Sequence, residues 1–291
     1  MKKQSSDEVR DQVRQSYGRA ASREPSDTCG CCSGTTTRGS VSSLAGYTRK
    51  ELGELPQDAV VSSFGCGNPV AFSQVQPGQV VLDLGSGAGL DLLLAARKVG
   101  PEGRVIGVDM TPEMLERSRE NIAAAGLKNA EVRQGLIEDL PVESNSVDWV
   151  ISNCVINLSP EKPRVFSEIH RVLKPGGRML VSDIMVKGLP AWVRQSQALY
   201  SSCIAGAISE EDYIAGLKQA GLSKVEVMAR LVYNHSQMTG LIKSELPEAK
   251  GTLSCCGQVA PEALEELATS VGAELEGKVW SATVYAEKPL A

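Results

Sequence analysis

Between residues 79 and 186, short apolar runs rich in β-branched residues alternate with segments of helical pattern. That alternation constrains the fold more than any other feature of the chain. Val80-Val81-Leu82-Asp83-Leu84 is the first run, stopped by Gly85-Ser86-Gly87-Ala88-Gly89, and a helix is expected from about Leu90 to Lys98. Arg104–Asp109 reads as a second strand. Thr111-Pro112 opens the next helix, with threonine as N-cap and proline in the first turn, where its missing N–H leaves no bond unmade. That helix should end near Gly126. Ala130–Gln134 and Ser146–Asn153 read as the third and fourth strands. A helix over Pro163–Leu173 is stopped by Lys174-Pro175-Gly176-Gly177, and Arg178–Asp183 gives a fifth strand. Strands separated by helices of about ten residues pair in parallel through right-handed crossovers. The expected class is therefore α/β, with a doubly wound, mostly parallel sheet.

The flanks are less regular. Val9, Val13 and Tyr17 fall on one face of a helix over 6–20. Residues 25–43, rich in Pro, Ser, Thr and Gly, read as a loop carrying Cys29, Cys31 and Cys32. A short helix near 48–54 precedes the turn Gly65-Cys66-Gly67-Asn68-Pro69. Helices at 190–205 and 209–220 and a strand at 224–232 extend the sheet domain. Residues 233–291 read as a small C-terminal α+β module, with Cys255-Cys256, a helix near 261–270 and a strand near 279–287. The division expected is 1–70 (N-terminal helix and Cys-rich segment), 71–232 (sheet domain) and 233–291. Trp149, Trp192 and Trp280 read as core or partly buried residues.

A net charge of −5 leaves no broad cationic surface for nucleic acid or anionic lipid. No apolar run approaches the roughly 18 residues of a membrane span, and Met1-Lys2-Lys3 leads into polar residues rather than a secretory core. The expectation is a cytoplasmic, monomeric protein without nucleic-acid or membrane partners. Eight Cys against two His is the unusual count. Reduced cysteines in that setting are buried, metal-binding or reactive, and so few histidines exclude a multi-histidine metal site.

Asp83–Gly89 is a glycine-rich turn between strand and helix, with Asp109 ending the neighbouring strand, where an acid accepts ribose hydroxyls. The spacing is G-x-G-x-G, not the dinucleotide pattern, and Asp83 precedes it. A carboxylate there repels a pyrophosphate and suits a nucleoside bearing an ammonium or sulfonium group. Cys66 precedes the first strand, Cys154 follows the fourth and Cys203 follows the fifth, so the three thiols can converge above the carboxyl ends of the strands. The close spacings Cys29-x-Cys31, Cys31-Cys32 and Cys255-Cys256 do not match zinc sites. Soft thiolates select a thiophilic centre. Trivalent arsenic takes three of them and keeps a nucleophilic lone pair. Each cysteine taken alone also suits a small buried apolar position.

Asp83–Gly89, Asp109 and Leu173-Lys174-Pro175-Gly176-Gly177 together resemble the class I S-adenosylmethionine-dependent methyltransferases over roughly residues 75–185, which implies a Rossmann-like methyltransferase sheet. By that resemblance Gly85, Ser86 and Gly87 line the methionine part, with Asp83 near it. Asp109 and Met110 flank the ribose, Ile137 and Glu138 the adenine, with Glu138 hydrogen-bonding its amino group, and Asn153 lies next to the reacting methyl. Gly65-Cys66-Gly67-Asn68-Pro69, Asn153-Cys154-Val155-Ile156-Asn157-Leu158 and Cys203-Ile204-Ala205-Gly206-Ala207 are similar to arsenite methyltransferases, a narrower likeness spanning about 9–235. It implies Cys66, Cys154 and Cys203 as catalytic thiols holding As(III), and a part in substrate capture or electron supply for Cys29, Cys31 and Cys32. It also implies S-adenosylmethionine as cofactor, arsenite and methylated trivalent arsenicals as substrates, and thioredoxin or glutathione as reductant. Tyr17 and Tyr47 are candidates to cover a sulfonium by cation–π contact. Two other readings stand beside this one. One is a methyltransferase for a small organic substrate such as a quinone precursor; the other is a non-catalytic arsenic-binding protein.

Overall fold

The computed structural model describes residues 5–22, 47–53, 55–61, 67–68, 73–194, 203–235, 237–239 and 269–290. Seven strands form one sheet in the order β3-β2-β1-β4-β5-β7-β6. They are β1 (Val80–Leu84), β2 (Arg104–Asp109), β3 (Ala130–Gln134), β4 (Val147–Asn153), β5 (Leu173–Val186), β6 (Ser223–Val232) and β7 (Val279–Glu287). The first five pair in parallel, as their alternation with helices requires. The winding reverses between β1 and β4, and this switch point puts the segments after those two strands side by side at the carboxyl edge.

The helices are α1 (Ser6–Ser22), α2 (Arg49–Gly53), α3 (Gln57–Val61), α4 (Leu90–Val99), α5 (Pro112–Ala124), α6 (Lys162–Val172), α7 (Ala191–Arg194) and α8 (Glu210–Gln219). On one side, α4 buries Leu92, Leu93 and Ala95 against Val81, Val105 and Ile151. Residues nearer the N-terminus, Tyr47, Leu55 and Ala59, join that cluster, so α4 is covered on both faces. On the other side, α6 buries Val165, Phe166, Ile169 and Val172, an apolar stripe of helical spacing. Phe166 meets Tyr213 of α8 edge-on, with ring centroids 5.1 Å apart. Each such fully buried large side chain contributes about 1.5–3 kcal/mol.

The strand expected in the 233–291 module is β7, and it lies in the main sheet rather than in a sheet of its own. It is antiparallel to β5 from Arg178↔Glu287 to Val186↔Val279 and antiparallel to β6 on its other side. With that second partner β5 runs three residues past the expected end, to Val186. At its start, Val147↔Leu173 and Trp149↔Arg178 enclose the Lys174–Gly177 segment, so the expected turn is a bulge carried inside the strand. The helix near 261–270 and Cys255-Cys256 lie outside the described residues except for 269–270. Of the tryptophans, Trp149 is buried, but Trp192 is 44% exposed. Helix α7 has four residues and buries Val193 alone, so its neighbour Trp192 faces outward. Among the described residues, no helix is long and apolar enough to cross a membrane.

Candidate active site

The glycine loop after β1 and the segment after β4 face each other across a cleft. All nine residues expected to bind a cofactor line it: Asp83, Gly85, Ser86 and Gly87 on the loop, Asp109 and Met110 after β2, Ile137 and Glu138 after β3, and Asn153 at the end of β4. The floor of the loop is packed tightly. Gly85 has a left-handed φ of +65°, and a Cβ built on it would overlap the Val155 side chain. Ser86 lies over Gly107 of β2, where a Cβ would come within 2.6 Å of its Oγ. Gly87, also left-handed, has open space above it. The loop therefore lies close to the strands below and leaves its upper face to a ligand.

The loop is strongly acidic for its burial. Asp83 is buried among the carboxylates of Asp91 and Asp109, and desolvation, Asp91 and Asp109 in that order push its pKa well above the usual carboxylate range. The Leu92 N–H of α4 donates to it and offsets only part of this. Its Oδ2 accepts no hydrogen bond among the described residues, and the buried Ser86 hydroxyl has no partner there either. Buried polar atoms left in this way call for a ligand that donates to them, and the three carboxylates call for one with positive charge. Asp109 accepts from Gly87 N–H at 3.0 Å through Oδ2 and from Thr111 N–H at 2.8 Å through Oδ1. The Thr111 side chain and the Met110 N–H also hydrogen-bond this carboxylate. Desolvation raises its pKa, and the Thr111 and Gly87 N–H groups pull it back.

Asn153 does more than line the cleft. Its Oδ1 accepts from Gly67 N–H at 3.1 Å, and its Nδ2 donates to Gly67 O at 2.5 Å. Nδ2 also lies 2.9 Å from the Tyr47 hydroxyl and 3.1 Å from Asp91 Oδ2. The amide thereby ties the turn holding Gly67 to the end of β4. Cys66 itself lies outside the described residues, as do Cys31 and Cys32. Tyr47 is buried, donates to Asp91 Oδ1 at 2.8 Å, and burial followed by Asp91 holds its pKa well above normal. Tyr17 lines the cleft.

The two described cysteines occupy unusual backbone. Cys154 follows β4 with φ +61°, and Cys203 lies in a turn with φ +64°. Left-handed backbone at a non-glycine residue costs about 1–2 kcal/mol, and such strain concentrates at functional sites. Cys154 is disulfide-bonded. Cys203 is a buried thiol whose Sγ donates to the Cys154 carbonyl at 2.6 Å. The structure thus brings Cys154 and Cys203 together beside the cleft.

Beneath them lies a buried polar group that the strand-and-helix reading missed. Asp183, near the carboxyl end of β5, accepts from Asn157 Nδ2 at 2.7 Å and from the neighbouring Ile184 N–H at 3.0 Å. Burial pushes its pKa up to about 7. Lys162 of α6 donates to Asn157 O at 3.2 Å and Ser159 O at 2.9 Å, and burial pulls its pKa down to about 8 against the attraction of Asp183 and Cys203. The signal for Asp183 was present: an acid inside an apolar run, as at Asp83. No local pattern marks Lys162.

Helix α1 closes the cleft. Arg10, Val13 and Tyr17, at i, i+3 and i+7, all line it. Arg10 Nε donates to Glu138 Oε1 at 3.2 Å, and Nη2 donates to Glu161 Oε2 at 2.9 Å. Val13 packs in the same apolar cluster as Cys154, Leu158 and Cys203. The expected helix face contained Val13 and Tyr17, but Arg10 carries no signal without its partner 128 residues away.

Residues 76–233 match the family model of a methyltransferase domain. An arsenite methyltransferase of Halobacterium salinarum is 45% identical over 233 residues, covering 76% of this chain and 59% of that protein. The chain therefore spans less than two thirds of that relative's length. A demethylmenaquinone methyltransferase of Listeria monocytogenes is 35% identical over 127 residues, 44% of this chain. Among solved structures, an arsenic(III) S-adenosylmethionine methyltransferase from Chlamydomonas reinhardtii superposes with a TM-score of 0.64 at 32% identity, covering 83% of this chain and 73% of that one.

Proposed function

We propose that this chain, which belongs to the arsenite methyltransferase family within the class I S-adenosylmethionine-dependent methyltransferases, moves methyl groups from S-adenosylmethionine onto thiolate-bound trivalent arsenic. One observation carries the reading: Cys154 and Cys203 meet in strained left-handed backbone beside a cleft whose buried carboxylates suit a cationic nucleoside. S-adenosylmethionine supplies an electrophilic methyl on a sulfonium for in-line transfer to the arsenic lone pair. The chain's part is to bind, orient and exclude water. Asp83 and Asp91 offset the positive charge, Asp109 accepts the ribose hydroxyls and Glu138 meets the base. Cys66, Cys154 and Cys203 hold the arsenic as thiolates, with Cys31 and Cys32 feeding substrate to them. Asn153 positions the turn that carries Cys66.

Gaining CH₃⁺ raises arsenic by two oxidation levels. Two thiolates leaving as a disulfide return that electron pair, and arsenic is trivalent again. The disulfide at Cys154, beside the Cys203 thiol, suits this exchange. Thioredoxin or glutathione, in the cytoplasm, then restores the thiols.

The deciding experiment is methyl transfer from labelled S-adenosylmethionine to arsenite, with fully reduced protein and excess thiol. Labelled methylarsenicals formed only while the thiols are intact support the reading. No product, despite measured binding of the cofactor, transfers the assignment to an organic substrate. The Listeria relative resembles the chain only over 44% of its length, and that alternative gives the cysteines no task.

The acidic loop adds a pH dependence with a definite sign. Asp83 titrates high while no cation faces it, so a cationic ligand must displace its proton to gain the full attraction. Affinity for S-adenosylmethionine, relative to S-adenosylhomocysteine, should therefore rise with pH through the Asp83 titration. Calorimetry in buffers of different ionisation enthalpy should show proton release with the sulfonium ligand and less with the thioether. Asp83→Asn should flatten both. A wild-type affinity ratio that does not change with pH would remove Asp83 from this role.

A further inference from the structure

We infer that Arg10 of helix α1 is a positioning residue for base recognition: it pins one oxygen of Glu138 so that the other faces an exocyclic amino group in the cleft. The inference rests on the reading of the cleft as a nucleoside site.

The Glu138 side chain is 4% exposed, and a buried carboxylate persists only when it is paired. Both of its partners bind the same atom. Arg10 Nε donates to Oε1 at 3.2 Å, and the Ser159 hydroxyl donates to Oε1 at 2.7 Å. Among the described residues, Oε2 accepts no hydrogen bond from a side chain. The carboxylate is thus divided into a fixed oxygen and an accepting one, and the accepting one belongs to a residue that lines the cleft.

The guanidinium is itself immobilised. Besides Nε, its Nη2 donates to Glu161 Oε2 at 2.9 Å and its Nη1 to Asp7 Oδ1 at 2.9 Å. With a bond from each of its three nitrogens, the guanidinium is held toward Glu138 and Glu161 rather than into the cleft. That matters for selectivity. A mobile arginine would welcome a keto oxygen on the base, whereas a clamped one leaves only the Glu138 acceptor. An amino N–H satisfies this acceptor, and a keto oxygen faces it with two lone-pair sites opposed. Lysine at this position would supply charge but not the planar fork that spans two carboxylates at once.

The clamp also has a mechanical side. Arg10 shares its helix face with Val13, which packs with Cys154 and Cys203. Base recognition at one end of the cleft and closure over the thiols at the other therefore involve the same helix.

The test compares binding of S-adenosylhomocysteine with that of S-inosylhomocysteine, in which a keto oxygen replaces the amino group, by calorimetry on full-length protein. The wild-type chain should prefer the adenine ligand by about 100-fold, the scale of one charge-assisted hydrogen bond. Arg10→Ala should narrow that preference to less than about tenfold by loosening Glu138, and Arg10→Lys should fall between. A merely structural role for Arg10 would weaken both ligands equally and leave the ratio at its wild-type value, and that result overturns the inference. Should Arg10→Ala not fold, the ratio in Arg10→Lys decides alone: narrowed supports the proposal and unchanged overturns it. Wild-type protein that binds neither ligand overturns the nucleoside reading and this inference together. Wild-type preference with an unchanged ratio in the variants overturns the inference alone.

Discussion

Cys203→Ser and Cys154→Ser should each lower methyl transfer to arsenite by at least about 10³-fold, roughly 4 kcal/mol in the barrier, while S-adenosylhomocysteine binds within about threefold of wild type. The chemistry decides the size. A serine hydroxyl does not ionise near neutral pH and is a hard donor, so it neither holds trivalent arsenic nor joins a disulfide. The fold should tolerate the exchange. Serine is nearly isosteric, and at position 203 its hydroxyl can still donate to the Cys154 carbonyl, as the thiol does at 2.6 Å. A Cys203→Gly variant should be equally inactive while relieving left-handed backbone at φ +64°. Its stability should therefore fall less than loss of a buried side chain alone implies. Turnover, calorimetric binding and thermal melting separate these effects. Near-wild-type turnover in both serine variants would end the thiolate-ligand reading.

Gly85→Ala should lose more than any other single-methyl change in the cleft. The residue sits at φ +65°, and the added Cβ would overlap Val155, the neighbour of Cys154. The left-handed backbone costs about 1 kcal/mol and the overlap about 1–3 kcal/mol more. Relief requires the glycine loop to lift or Val155 to retreat, and either shift moves a cofactor contact and a thiol together. S-adenosylhomocysteine affinity should drop by more than about 100-fold, with Tm lower by roughly 5–10 °C. Gly100→Ala is the control. Its φ is +66°, with nothing within 4 Å of the added Cβ, and it lies outside the cleft. It should show only the backbone cost and unchanged binding. Equal binding by Gly85→Ala and wild type would mean that the loop does not carry the cofactor.

The cleft was legible in the sequence to the extent that its residues sit at the ends of strands. Asp109 and Asn153 each end a strand and Asp83 lies one residue from the end of another, and parallel pairing of β1 with β2 and β4 brings them to one edge. Arg10, Ser159 and Lys162 follow no periodic pattern tied to the site, and they act through partners remote in sequence or through burial. The bonds of the Tyr47 hydroxyl to Asp91 and Asn153 likewise leave no mark on its local sequence. The strand near 279–287 was visible as a strand, yet its place between β5 and β6 was not, because an antiparallel insertion leaves no mark on local periodicity.

By itself the sequence determined the local units: which segments become strands, where glycine permits left-handed turns, and which acids end at the carboxyl edge of the sheet. These follow from side-chain spacing and backbone sterics, which act over a few residues. Tertiary structure alone decided three further things: that α1 spans 128 residues to reach Glu138, that the Cys203 thiol donates to the Cys154 carbonyl, and that both cysteines are held in strained backbone. Loop closure grows only slowly more costly with length, so sequence separation scarcely ranks such pairings. What selects among them is the burial of apolar faces such as Val13 on the thiol cluster, a free energy that exists only once the whole sheet has assembled.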